Sequence, residues 1–324
     1  MNLGTATARA NANIAFIKYW GNSDHSLRLP QNPSISMNLE GLFTQTTLTW
    51  DEALAQDQLT LNGNAASEAA LQRTAQYLNQ IRTRYGVQAH AQIESANNFP
   101  TGAGIASSAS GFAALAVAAT AAAGLDLPEH ELSALARLGS GSASRSVPSG
   151  FVRWQVGQDH ASSYADSIAA PNHWELVDLI AIVSQGHKAV GSTEGHALAD
   201  TSDLQAGRLH HVQARYETCQ QAILERDFAT FAEVVEQDSN LMHAVMMTSV
   251  PPLFYWLPSS IGIMHAVKTW RADGLQVCYT LDAGPNVHCI TTAQDAPHVQ
   301  AKLQTMGGIL EIKRANVGGG AQVV

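Results

Sequence analysis

Polar and apolar residues alternate over residues 34–39, where Ile35, Met37 and Leu39 fall on one side of an extended chain. Strand-like patterning runs across residues 6–49, with a continuous apolar stretch at 14–17 that reads as a buried strand and turn-forming residues at 21–24. Then the spacing lengthens. Leu71, Ala75, Leu78 and Ile81 recur at helical intervals and predict a helix over 67–85, after which 89–94 reads as the next strand. The N-terminal region is therefore expected to be rich in β-structure.

Beyond residue 97, glycine, serine and alanine take over. Residues 97–111 form a Gly/Ser loop running into an Ala-rich helix that ends near 123. A shorter helix at 128–138 leads to a second Gly/Ser loop at 139–150 and a strand around 151–156. The apolar run 176–183 predicts a strand, and 206–223, 228–244 and 259–271 predict helices. Strands at 277–280 and 287–291 flank a loop of Asp282, Ala283, Gly284 and Pro285, and the chain closes on a segment at 309–313 and a glycine turn at 318–320. With no long linker and no internal repeat, two closely packed halves meeting near 180–190 are expected.

Composition narrows the classes of function. Of the 324 residues, 45% are apolar and only 14% charged, which suits a folded globular chain and not a disordered one. The net charge is −9 and no long Lys/Arg run occurs, so neither nucleic acid nor an anionic membrane is an expected partner. Cys219, Cys278 and Cys289 are the only cysteines, with neither disulfide-framework nor zinc spacing, and the N-terminus lacks a signal-peptide pattern. The apolar stretch 112–125 is too short to span a bilayer. A cytoplasmic location is the expectation.

A helix N-terminus exposes unpaired N–H groups at the positive end of the macrodipole, so the loop entering it can hold phosphate without a basic side chain. Gly102 and Gly104 permit close backbone approach there, and the hydroxyls of Ser107 and Ser108 can cap the helix or meet a phosphate oxygen or magnesium ion. A Gly/Ser loop alone is more often just a tight turn. The run from Pro100 through Gly104, Ile105, Ala106, Ser107, Ser108, Ala109 and Ser110 resembles the phosphate-binding motif of the GHMP kinase superfamily, and no Walker A pattern is present.

Other stretches narrow the resemblance. NIAFIKYWG at 13–21, Leu29 with Pro30, and Ser34 to Ser36 resemble the N-terminus of mevalonate diphosphate decarboxylases. GSGSASRS at 139–146 with GFVRW at 150–154 looks like that family's substrate loop. Gly191, Ser192, Thr193 and Gly195, the run DSNLMHA at 238–244, Pro251 with Pro252, and YTLDAGPN at 279–286 follow in the family's order. The similarity reaches from about residue 6 to 290.

The resemblance implies an α+β GHMP-type two-layer sandwich: a β-rich nucleotide-binding domain at 1–185, an α+β domain at 186–324, and a cleft between them. It implies ATP with Mg2+ as cofactors, bound at Asn98, Gly102, Gly104, Ala106, Ser107 and Ser108, the metal held mostly by phosphates and at most by Ser107 or Ser108. Members of the family are commonly homodimers, though no stretch here marks an interface. The implied partner is a small phosphorylated mevalonate.

The chemistry implied is phosphorylation of a tertiary hydroxyl followed by loss of phosphate and CO2, since hydroxide itself is a poor leaving group. Asp282 is the candidate to accept or orient the hydroxyl proton and to stabilise the developing cationic carbon, although an Asp-Ala-Gly-Pro stretch by itself is ordinary turn chemistry. Arg145 can grip the substrate carboxylate with two parallel hydrogen bonds. Lys18 lies in an apolar run, so it needs an anionic partner: substrate, nucleotide phosphate or Asp282. Asn13 completes the candidate catalytic set. Tyr19, Asn22, Ser140, Gly141, Ser142, Arg145, Ser192 and Thr193 are candidate substrate contacts, with Lys188 near in sequence; Trp20 reads as core, and His196 and His243 carry no assigned role.

The chain departs from the family at Asn22, where a second lysine is common, at Ser144, where cysteine is common, and at His196, where methionine is common. A missing cation weighs more on a diphosphate than on a monophosphate. Mevalonate 5-phosphate is therefore the expected substrate, with mevalonate 5-diphosphate the alternative, Lys188 or Arg28 being able to compensate. A kinase that stops after phosphorylation and a non-catalytic sensor are the competing functions, and both are disfavoured by the presence of Asp282 together with Arg145.

Overall fold

The computed structural model describes residues 3–99, 107–186 and 191–324, and only the backbone of Ser192 and Thr193. Two long strands organise the first half. β1 (Thr5–Ile17) is followed by a short ribbon of β2 (Asn22–Asp24) and β3 (Leu29–Pro30), and then by β4 (Ser34–Asp51), which pairs antiparallel with β1. β5 (Gln58–Leu61), β6 (Asn64–Ala65), helix α1 (Glu68–Tyr85) and β7 (His90–Asn97) come next, then helices α2 (Ser107–Ala122) and α3 (Glu129–Gly139), a 3-10 turn at Gly141–Ser146, and strands β8 (Phe151–Trp154) and β9 (Ala165–Ala169). The first sheet runs β14-β1-β4-β7-β5-β6, with β8 and β9 branching from β4; its last strand, β14 (Gln322–Val323), returns from the C-terminus.

The second half begins with β10 (Leu176–Ile182). Helices α4 (Ser192–Ala197), α5 (Gln205–His210), α6 (Val212–Glu225), α7 (Phe228–Thr248) and α8 (Pro258–Ala272) follow, then β11 (Val277–Thr280), β12 (Val287–Thr292), α9 (Ala296–Gln304) and β13 (Glu311–Asn316). These strands form an antiparallel sheet in the order β11-β12-β10-β13. The chain changes sheet between β9 and β10, so the expected division at residue 185 falls one strand after that change. No described helix is long and apolar enough to cross a membrane.

Local sequence explains most of these elements. Ser67 caps α1 by accepting from the Ala70 amide, and Gly86 ends it in the left-handed region at φ 70°. α2 is apolar on every side, because it is packed between the first sheet and its neighbouring helices. β4 changes character along its length. Its second part alternates buried and partly exposed residues, whereas Ser34–Leu39 is buried throughout. The alternation over 34–39 thus separates two interiors: Ile35, Met37 and Leu39 enter the apolar core, while Ser34, Ser36 and Asn38 face a buried polar layer.

The largest apolar cluster joins the two halves. Ile14, Phe16, Ile35 and Met37 from the first sheet meet Ile180 and Ile290 from the second, together with Phe231 and Val235 of α7. Phe231 sits edge-on to Phe16 at 4.8 Å and to Trp174 at 5.2 Å. Phe231→Ala is expected to cost about 3–5 kcal/mol of stability, measured as a lowered urea midpoint with an unchanged slope.

Candidate active site

β1 ends by delivering Lys18 to the seam between the halves. Its backbone N–H donates to Asp238 Oδ2 of α7 at 2.7 Å, and its carbonyl accepts from Arg208 at 2.6 Å and Asn32 at 2.8 Å. The backbone is thereby fixed on both sides. Asp238 in turn holds Arg215 at 2.9 Å, so a buried ionic group anchors the end of β1 to α5, α6 and α7.

Just after β11, Asp282 reaches the same place. Lys18 Nζ donates to its Oδ1 at 2.6 Å; the lysine is 1% exposed and the aspartate 27%. Of the three partners open to Lys18 on sequence grounds, Asp282 is the one the structure supplies. Burial pulls the Lys18 ammonium below its ordinary range, against the attraction of Asp282 and Asp238. Desolvation acts to raise the Asp282 carboxyl, but Lys18, His288 and Arg145 outweigh it and hold that carboxyl below the usual value.

Arg145 comes from the 3-10 turn beyond α3. Its Nη1 donates to Ser34 Oγ at 2.7 Å and Nη2 to Asn13 Oδ1 at 3.4 Å, while its buried Nε has no partner among the described residues. Burial lowers its pKa to about 10, which leaves it a cation at neutral pH. Asn13 Nδ2 donates to Ser146 Oγ at 2.8 Å and to the Ser142 carbonyl at 3.1 Å, tying β1 to the same turn. Lys18, Asp282, Arg145 and Asn13 therefore lie near one another at the seam, Arg145 close enough to act on both Lys18 and Asp282.

Beside them lies a group of uncharged side chains within reach of Arg28 and Arg145. The Tyr19 hydroxyl donates to Asn22 Oδ1, and the phenol ring packs between Trp154 at 4.7 Å and His196 at 4.1 Å. Gly141 runs so close to that ring that a Cβ there would come within 2.5 Å of it, which is why a glycine is needed. His196 Nδ1 accepts from the Gly21 amide at 3.1 Å, so its other nitrogen carries the proton. Burial lowers its pKa to about 3 and keeps it neutral. Trp20 packs with Met242, Val245 and Leu253, the core position expected of it.

The start of α2 and the second Gly/Ser loop converge through hydroxyls. Ser108 Oγ is 3.3 Å from Ser140 Oγ, which is 3.3 Å from Ser142 Oγ. Ser107 and Ser108 also border a cavity of about 280 Å³ between β4, β5 and β7 on one side and α1 and α2 on the other, lined further by Thr44, Arg73, Asn97 and Phe112. Asn98 spends its side chain on the backbone of Gly41 and Phe43. Gly102, Gly104, Ala106 and Lys188 lie outside the described residues. Ser192 and Thr193 open α4.

Ser34, Asp238 and Arg208 support this site without having been singled out from sequence. Ser34 and Asp238 sit within recognisable motifs, but nothing in a string of residues reveals which side chain a distant arginine or backbone amide will meet. Arg73 and Phe112 gave no signal, being one helical residue among several on each face.

This arrangement, two α+β layers meeting along the seam that carries Lys18 and Asp282, defines a GHMP-type enzyme scaffold. Solved structures agree. Mevalonate diphosphate decarboxylase from Staphylococcus aureus superimposes with a TM-score of 0.95 at 37% identity, covering 99% of this chain and 98% of that one. A complex described as MDDEF with MVAPP, AMPPCP and magnesium matches at 0.94 and 36% identity, covering 99% of each chain. Residues 10–165 match the diphosphomevalonate decarboxylase-like N-terminal domain and 178–317 the mevalonate 5-diphosphate decarboxylase C-terminal domain. The diphosphomevalonate decarboxylase of Candida albicans is 42% identical over 299 residues, 87% of this chain and 83% of its own length. That of Homo sapiens is 39% identical over 312 residues, 89% and 77% respectively. The chain belongs to the diphosphomevalonate decarboxylase family.

The buried neutral imidazoles have a measurable consequence. Burial lowers His196 and His243 from 6.5 to about 3. Below pH 6.5 the unfolded chain therefore binds protons that the native one refuses, and stability is lost progressively as pH falls towards 3. Melting temperatures measured between about pH 7 and pH 4 should fall less steeply for His196→Met than for the wild type; equal slopes would contradict this assignment.

Proposed function

We propose that this chain is an ATP- and Mg2+-dependent decarboxylase of a 5-phosphorylated mevalonate, acting in the cytoplasm as a homodimer in the manner common to its family. The reading is carried by one observation: Lys18, Asp282 and Arg145, drawn from three distant parts of the sequence, come together, Lys18 paired with Asp282 and Arg145 near enough to act on both. Three buried, unpaired cysteines suit a reducing compartment.

Asp282, ionised and open to the cleft, accepts the proton of the substrate's 3-hydroxyl. Lys18 steadies that carboxylate and confines it to one orientation. Arg145, a cation whose hydrogen bonds among the described residues go to neutral side chains, grips the substrate carboxylate and aligns the bond that breaks. Loss of the 3-phosphate leaves a carbocation facing Asp282, and departure of CO2 supplies the electron pair of the alkene. The balance is phosphorylated mevalonate plus ATP giving the isopentenyl ester, CO2, ADP and inorganic phosphate.

The residues suit the nucleotide. A helix N-terminus, the hydroxyls of Ser107 and Ser108 and the neighbouring cavity fit a triphosphate and its nucleoside. When bound, magnesium and ATP supply the transferable phosphoryl group and neutralise its charge; Ser108, joined to Ser140, sets the start of α2 against the second Gly/Ser loop.

Mevalonate 5-diphosphate is the better supported substrate, because the relatives and solved neighbours carry that name and one was described with MVAPP. This displaces the monophosphate expected from sequence as the leading reading. One observation still favours the monophosphate: Asn22 is neutral, 6% exposed and engaged by Tyr19, so it brings no charge to a terminal phosphate.

Asp282→Asn is expected to lower kcat by about 100- to 10,000-fold with nucleotide affinity retained, followed by paired CO2 and ADP release; full turnover in this variant would overturn the role. Comparing kcat/KM on the two mevalonate phosphates decides the substrate. Asn22→Lys should raise the ratio of diphosphate to monophosphate turnover by about tenfold, the worth of one added ion pair of about 1.4 kcal/mol, and an unchanged ratio would remove Asn22 from substrate choice.

A further inference from the structure

The two phosphate esters of mevalonate differ at the end of the molecule away from the hydroxyl and the carboxylate. From Arg145 the side chains run on in contact: its guanidinium lies 5.9 Å over the Trp154 ring, the Tyr19 ring packs against Trp154 at 4.7 Å, and the Tyr19 hydroxyl donates to Asn22 Oδ1. Asn22 opens β2, and its Nδ2 stands 3.4 Å from His25 Nδ1 in the turn that leads to β3. Arg28 closes that turn.

The turn and the end of α3 hold each other. Arg137 Nε donates to the Leu27 carbonyl and Arg28 Nε to the Leu138 carbonyl, both at 3.0 Å. Asp24 Oδ1 accepts from the Leu27 amide at 2.8 Å and from Ser26 Oγ at 2.7 Å, which fixes the turn from within. Leu138 lies immediately before the second Gly/Ser loop, so the clamp sets Arg28 at the root of the loop whose Gly141 runs against the Tyr19 ring. Arg28 itself stands at φ 52°, a left-handed conformation that glycine or asparagine adopts more easily than arginine. The backbone gains nothing from an arginine there, so the reason for it lies in the side chain.

The charge of that side chain is not spent within the protein. Arg28 is half-buried, its one hydrogen bond among the described residues leaves from Nε, and no carboxylate pairs with it there. Both Nη nitrogens remain for a ligand. The other arginines at this loop are committed. Arg137 is fully buried on the carbonyls of Leu27 and Ser163 and on His160, and Arg73 donates to the Gly139 carbonyl and faces Phe112 at 4.8 Å in the cavity that Ser108 borders. After burial, Arg28 is the strongest influence on both the Tyr19 phenol and the His196 imidazole, ahead of Arg145.

We propose that Arg28 binds the terminal phosphate of a substrate diphosphate, so that the turn between β2 and β3 supplies the positive charge that Asn22 does not. A guanidinium offers parallel N–H donors to phosphate oxygens, and a diphosphate brings more negative charge to this end than a monophosphate. This rests on the reading of the chain as a decarboxylase of phosphorylated mevalonate, and it makes Arg28 a specificity-determining residue between the two esters.

The test is kcat/KM on mevalonate 5-diphosphate and on mevalonate 5-phosphate for the wild type, Arg28→Asn, Arg28→Lys and the double variant Arg28→Asn with Asn22→Lys. Asparagine suits the left-handed backbone, so Arg28→Asn removes the charge and keeps the turn. The ratio of diphosphate to monophosphate kcat/KM should fall about tenfold in Arg28→Asn, carried by a higher KM for the diphosphate. Arg28→Lys should keep most of the ratio, and Asn22→Lys should restore it in the Arg28→Asn background. A purely structural role would weaken both esters alike and would not be rescued by Asn22→Lys. An unmoved ratio in folded Arg28→Asn overturns the inference. Should Arg28→Asn not fold, Arg28→Gln decides in its place; if neither folds, Arg28 belongs to the clamp and the inference fails. Wild-type enzyme that releases CO2 from neither ester removes the underlying reading, whereas wild-type turnover beside an unmoved ratio removes only the role of Arg28.

Discussion

A buried ammonium needs an anion, and in this chain the demand of Lys18 joins the two layers of the fold. Removing its charge from water without a partner would cost several kcal/mol, and the partner lies 264 positions away at the turn after β11. The apolar cluster shared by Phe16, Ile290 and Phe231 brings the layers together without direction. The ion pair adds the direction: it permits one placement of the β11–β12 turn against the end of β1. Asp238 reinforces that choice by holding the backbone of Lys18 and the side chain of Arg215 at once.

The groups next to this pair are of another kind. Tyr19, Asn22, Ser140, Ser142 and neutral His196 are uncharged, with Tyr19 bonded to Asn22 and Ser140 beside Ser142, and the glycine at 141 lets the loop lie against the Tyr19 ring. Arg28 and Arg145 stand close enough to act on Tyr19 and His196. Charges act strongly at short range in surroundings of low polarity, so these arginines, and not the uncharged side chains, set the potential there.

Much of the element order is legible in sequence because hydrophobic spacing is a local signal. The helix beginning beside Ser67 and ending at Gly86, and the strand, loop and strand around Asp282, are written in neighbouring residues. Family motifs extended that reading to Lys18, Arg145 and Asn13, which lie near one another in the fold. What was not legible is whatever depends on register between distant strands. Residues 34–39 show the limit: their alternation reads as one wet and one dry face, yet both faces are buried, since Arg145 arrives from residue 145 to occupy the polar side. Asp178 and His288 are likewise unremarkable in sequence and become a pair only when β10 and β12 align.

Charge counting around Lys18 separates two kinds of buried cation. Arg208 and Arg215 are matched to Asp238 and backbone carbonyls, so they serve the scaffold. Lys18 is matched to Asp282. Among the described residues Arg145 hydrogen-bonds only the neutral side chains of Ser34 and Asn13. A buried guanidinium in that condition is costly. Asp282 is near enough to influence Arg145 but is held by Lys18, so one carboxylate directly neutralises only one of the two cations, and the other keeps its charge with neutral neighbours.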